Sequence, residues 1–92
     1  MIKILMMDIL YIEADRNYSH IFTKEKEYLL SVTLKNIEEN LPQPFFMRIH
    51  RSYLVNLMHI DEVLESDVLI GKQELPLGSG MRAQLMRRMR TL

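Results

Sequence analysis

Cysteine is absent from this 92-residue chain, which excludes a disulfide framework, a thiolate metal site and a cysteine nucleophile. No apolar run approaches the ~20 residues that a membrane-spanning helix needs. The opening MIKILMMD has a lysine and an acid, Asp8, but not the longer apolar core and small-residue cleavage site of a signal peptide. A cytoplasmic protein with no membrane partner is therefore expected. Catalytic signatures are missing too: there is no HExxH, no GxSxG, no Gly-rich phosphate loop and no paired-carboxylate motif. His20, His50 and His59 have no close ligand spacing. Neither an enzyme nor a protein with a metal or cofactor is expected.

Net charge is also zero, which argues mildly against a nucleic-acid partner, since such domains are often basic. The distribution offsets this. Asp61 to Glu74 holds five acids and one base, whereas Gly78 to the end holds Arg82, Arg87, Arg88 and Arg90 and no acid. A polarised chain can keep a positive face while summing to zero.

What is present suits one globular domain over residues 1–92, with 48% apolar and 26% charged residues. The first half reads as strands. Asp8–Ala14 is followed by a turn at Asp15-Arg16-Asn17, then a strand over Tyr18–Thr23, a charged tip at Lys24–Glu27 and a strand over Tyr28–Val32. Thr33 is placed to cap a helix over Leu34–Leu41, where Leu34, Ile37 and Leu41 share a face. Pro42 and Pro44 end it. Phe45–Ile49 reads as a strand with Tyr53–Val55 as a short continuation, and Asn56–His59 as a turn or single helical turn. Ile60–Leu64 and Val68–Ile70 read as paired strands, and Gly71-Lys72 as a turn before Glu74–Leu77. Ser79 is a candidate cap for a last helix with an apolar stripe of Met81, Leu85, Met89 and Leu92. The expected class is mainly β, with one short central helix and one C-terminal helix.

The segment FFMRIHRSYLVNLMHI, Phe45 to Ile60, is the most informative. Arg48, His50, Arg51, Ser52 and Asn56 lie among apolar residues, and no acid occurs between Glu39 and Asp61. Such a surface donates hydrogen bonds to an anion while its apolar neighbours anchor it. Arginine grips phosphate or a guanine edge with a planar fork. Serine and asparagine bond phosphate, and asparagine also reads adenine. Within a strand over Phe46–Ser52, alternation puts Arg48, His50 and Ser52 on one face, with Ile49 and Arg51 on the other. Packing roles compete with these: His50 as a hydrogen-bonded core histidine, Asn56 as a turn residue.

With ILYIEADRNYSHIFT (Ile9–Thr23) upstream and ELPLGSGMR (Glu74–Arg82) downstream, the chain resembles the LytTR family of DNA-binding domains over about residues 8–89. The resemblance implies an elongated β-sheet fold that contacts double-stranded DNA through loops between strands. It implies a transcription-regulating output domain of a bacterial two-component response regulator, with an upstream receiver domain for which 92 residues leave no room. An excised domain or a small free-standing regulator is then expected. Paired repeat sites and a homodimer on DNA are implied as well.

Carried over by resemblance, Arg51 belongs to the DNA-contacting set, and Arg48, His50 and Asn56 partly stabilise the loop. Asn17, Ser19 and His20 reach a groove, with Arg16 on phosphate; Asp15 should point away or hold the turn, and Tyr18 is expected in the core. Many family members have arginine where this chain has Ser79 or Gly80, which weakens base contacts there. Two glycines and a helix N-terminus still suit phosphate, with Arg82 one turn further on. The competing reading is a protein-interaction or dimerisation module using exposed β edges.

Overall fold

The computed structural model describes residues 3–89; Arg90 and Leu92, named above for charge and for the apolar stripe, lie outside them. Among the described residues, eight strands form two antiparallel sheets. The larger contains β1 (Ile9–Asp15), β2 (Tyr18–Thr23), β3 (Glu27–Leu30), β4 (Phe46–His50) and β5 (Tyr53–Asn56), in the order β3-β2-β1-β5-β4. The smaller contains β6 (Glu62–Val63), β7 (Asp67–Ile70) and β8 (Gln73–Pro76) in sequential order. Helices α1 (Leu34–Asn40) and α2 (Met81–Arg88) complete the fold, with single 3-10 turns at Met6–Asp8 and Leu57–His59. The described residues span 39 × 24 × 24 Å, so the body is elongated as expected. Among them no helix is long and apolar enough to cross a membrane.

The larger sheet lies between two apolar layers. One holds Ile9, Ile12, Ile21, Leu34, Phe46 and Leu54, with α1 over them. The other holds Tyr11, Met47, Ile49, Val55, Val68, Ile70, Leu75 and Leu85, joining the sheet to the smaller sheet and α2. Neighbours in sequence therefore serve opposite layers: Tyr11 and Ile12, Phe46 and Met47, Leu54 and Val55. This is why β1 and β5 do not show the apolar–polar alternation of a half-exposed strand. Each fully covered side chain, such as Ile12, Ile49 or Leu54, contributes roughly 1.5–3 kcal/mol by burial.

Local signals place the ends of these elements. The Thr33 hydroxyl accepts from the Asn36 amide at 3.3 Å and caps α1, as expected. Asn56 does two jobs at the end of β5. Its Oδ1 accepts from the Met58 amide at 3.0 Å, capping the 3-10 turn, and its Nδ2 donates to the Ile9 carbonyl at 3.0 Å.

Three local expectations are corrected. Tyr53 does not continue β4; the chain reverses at Arg51-Ser52, and β5 runs back antiparallel to β4. Ser79 does not cap α2, because Gly80 takes the cap position at φ 75° and no side chain bonds the helix start. Tyr18 is not in the core but 46% exposed, since it begins β2 beside the turn, beyond the reach of either layer.

Asn56 is 2% exposed, so its loss strands a buried carbonyl and an amide together. Asn56→Ala should destabilise the fold by about 1–3 kcal/mol, read as a lowered denaturant midpoint with an unchanged slope.

Candidate nucleic-acid interface

The three sequence segments meet at one end of the larger sheet. β1 and β5 are antiparallel, with Glu13 opposite Tyr53. The β1–β2 turn at Arg16-Asn17 and the β4–β5 turn at Arg51-Ser52 therefore emerge side by side. A backbone bond from the Ala14 amide to the Ser52 carbonyl, 2.9 Å, ties them. The third segment is brought in by the Gly78 amide, which donates to the Ile49 carbonyl at 2.7 Å. A Cβ on Gly78 would lie 3.3 Å from that same oxygen, a tight contact that would need a small shift of the backbone.

A bulge in β4 makes this junction. Arg48 pairs with Leu54 and His50 with Tyr53, which leaves Ile49 without a cross-strand partner. Its carbonyl is free for Gly78, and its side chain is wholly buried. The expected two-face alternation through Ser52 fails here, because the bulge shifts the register and the strand ends at His50.

Within the central motif the polar residues divide. The Arg48 guanidinium is turned inward: Nε donates to the His50 carbonyl at 3.1 Å, a terminal nitrogen to the Arg51 carbonyl, and the other to Glu38 Oε1 at 3.0 Å. His50 Nδ1 accepts from the Ser52 amide at 3.0 Å, which puts the proton of the neutral ring on Nε2. Arg48 and His50 thus both bond the backbone of the turn. Arg51 projects from it, exposed, and among the described residues nothing bonds its guanidinium. Ser52 is half-buried, with its carbonyl committed to β1.

The upstream segment divides similarly. Arg16 and Asn17 form the exposed turn, and Arg16 adopts φ 59°, a conformation uncommon for a residue with a side chain. Ser19 and Asn56 are corrected as contact residues. Ser19 is wholly buried, with its hydroxyl donating to the Val32 carbonyl at 2.6 Å, and Asn56 is spent inside the fold. Their side chains cannot reach a partner without opening the core.

His20 is turned into a cluster of acids. Nε2 lies 3.1 Å from Asp15 Oδ2 and Nδ1 lies 2.5 Å from Glu27 Oε2. Ionised carboxylates only accept, so this placement favours the ring form that donates from both nitrogens. The Asp15 bond, then the Glu27 bond, raise its pKa above the ordinary histidine value against an opposing burial effect. Asp15 therefore holds the turn, as expected, and His20 is its partner instead of a free groove reader.

In the third segment Ser79 is exposed, and Arg82 donates from Nε to the Leu64 carbonyl at 2.9 Å, tying α2 to the β6–β7 loop. Among the described residues its other two guanidinium nitrogens have no partner. Arg88 bonds the carbonyls of Gln43 and Phe46, packing α2 on the start of β4, so it does more than complement a helix terminus. Glu38 was not singled out from the sequence. The available signal was its place one turn beyond Leu34, on the side of α1 that faces the sheet.

The family model for the LytTr DNA-binding domain matches residues 1–90. The chain belongs to this family. A solved LytTR domain, from a methyl-accepting/DNA response regulator of Bacillus cereus, has the same fold. Its TM-score is 0.83 at 21% identity, over 98% of this chain and 88% of that one. The heme-containing CO-sensing transcriptional regulator RcoM 2 of Paraburkholderia xenovorans is 29% identical over 91% of this chain. The sensory transduction protein LytT of Bacillus subtilis is 38% identical over 61%. The LytTR chain described here spans 34% and 23% of these two relatives.

The His20 clamp has a thermodynamic signature. A pKa raised on folding contributes stability that is fully present below the unfolded value and is lost as pH rises through the folded value. The melting-temperature advantage of the natural chain over His20→Asn should therefore be largest below about pH 6.5 and shrink as pH rises. A difference that stays constant with pH would mean that the ring is not charged.

Proposed function

We propose that this chain is a sequence-specific, double-stranded DNA-binding output domain of a transcriptional regulator, and that it grips DNA with the sheet end formed by the Arg16-Asn17 turn, the Arg51-Ser52 turn and the Gly78–Gly80 loop. One observation carries this reading. The Ala14–Ser52 and Gly78–Ile49 backbone bonds draw three segments, far apart in sequence, to one end, where Arg16, Asn17, Arg51 and Ser79 are exposed.

The residues fall into roles by what already occupies them. Arg51 and Asn17, unencumbered and planar, are the base readers. Arg16, Ser79 and the free nitrogens of Arg82 hold phosphate, helped by the Ser52 hydroxyl and His50 Nε2 at the edge of the turn. Arg48 stays inside as the support of that turn. His20 takes no part while Asp15 and Glu27 hold it.

The names of the relatives, a sensory transduction protein and a CO-sensing regulator, support a separate input domain in the full-length protein. A receiver domain in that place, and two copies on paired repeats, complete the proposal. A cytoplasmic location accords with a DNA partner.

Selection from random duplexes should enrich a motif that binds more tightly than scrambled DNA and loses affinity steeply with salt. Arg51→Ala should then weaken the selected duplex by about 1–3 kcal/mol, with a smaller effect on scrambled duplex if the side chain reads a base. Unchanged affinity on every duplex would remove Arg51 from the contact surface. Salt-independent binding to a protein through β3 instead would favour an interaction module.

A further inference from the structure

The Arg51-Ser52 turn has no glycine, proline or asparagine, and it is held from α1. We infer that Glu38 is a positioning residue for DNA recognition: by pinning Arg48 against the Arg51 and His50 carbonyls, it fixes the direction in which Arg51 leaves the sheet. The inference rests on the proposed function and goes beyond it, since Glu38 is ten residues from its partner and on another element.

The geometry is a three-way hold by one guanidinium. Its planar N–H fork reaches two consecutive turn carbonyls and a carboxylate. The two carbonyls alone fix how the turn curls, but they bring no opposite charge. Glu38 brings that charge and a rigid mount. Its helix is packed on the sheet through Leu34, Ile37 and Leu41 and is capped by Thr33. The Glu38 and Arg48 side chains keep 36% and 29% of their exposure, so water still reaches the pair. A phosphate would therefore compete for Arg48 if the carboxylate were removed. Arg48 would then swing outward as an indiscriminate cation and release the Arg51 carbonyl. Glu38 thus favours selectivity by orienting the reader; a swung-out Arg48 would add the same phosphate contact on every duplex and leave the ratio to Arg51.

The side chain that gains is Arg51, whose own carbonyl is the one held. A bidentate contact to a base edge depends on direction, whereas a phosphate contact tolerates a swinging side chain. The loss of Glu38 should therefore appear in the ratio of selected to scrambled affinity more than in either affinity alone.

The test uses the selected duplex, a scrambled duplex and five variants, Arg51→Ala among them, at one fixed salt concentration. Glu38→Ala should lower the selectivity ratio about tenfold, a size typical of residues coupled in one hydrogen-bonded network. Glu38→Gln keeps an acceptor for Arg48 and should recover part of that loss. Glu39→Ala, an exposed neighbour on the same helix, should leave the ratio unchanged. In an Arg51→Ala background, Glu38→Ala should produce no further drop. Far-ultraviolet circular dichroism checks that each variant is folded.

An unaltered ratio in Glu38→Ala, whether or not both affinities fall, would overturn the inference. So would an undiminished further loss in the Arg51→Ala background. If the natural chain itself prefers no duplex, the proposed function fails and this inference with it, a result distinct from the other two.

Discussion

β1 and β5 are apolar on both faces, and that constraint has a cost for specification. In a half-exposed strand, a slip of one residue turns the apolar set to water and is strongly opposed. Here such a slip merely exchanges Tyr11 with Ile12, or Leu54 with Val55, between two apolar layers. Register must be set by groups that tolerate no exchange. Asn56 supplies one at one end of the strand pair, through the Ile9 carbonyl. The Ala14–Ser52 bond closes the other end. The same register that settles the core is the one that sets the two turns next to each other.

Much of the fold was legible in the sequence because it rests on short-range chemistry. The β2 boundaries, the Thr33 cap and the Asn56 turn all follow from residues within a few positions of one another. The β4–β5 reversal was not legible. Arg51-Ser52 carries no glycine, proline or asparagine, and its turn is held by Arg48 and His50, whose inward direction depends on the bulge at Ile49. The Ser79 cap failed because a glycine with positive φ stood next to it and took the position. Local propensity identifies both as candidates and does not rank them.

At the turn end of the sheet, composition singled out segments that the fold brings together, but it did not separate the side chains that face out from those already occupied. Ser19 and Asn17 are two residues apart and equally polar, yet one is sealed beneath Val32 and the other is exposed. His20 looked like a groove reader until Glu27, on the neighbouring strand, was brought beside it. Zero net charge likewise hides a partition. Asp15 and Glu27 sit around the His20 ring, and Glu38 beside the Arg48 guanidinium, which leaves Arg16 and Arg51 as exposed cations at the turn end.

Arg16 occupies a backbone conformation that suits glycine or asparagine better, at φ 59°. A side chain there costs on the order of 1–2 kcal/mol. Selection for stability alone would have replaced it. Efforts to harden this domain against heat will therefore find one of their easiest gains at position 16, and under the proposed reading that gain comes out of the grip on phosphate. On that reading durability and operator affinity are set against each other at a single residue, while Ile12, Leu54 and the rest of the interior are indifferent to the choice.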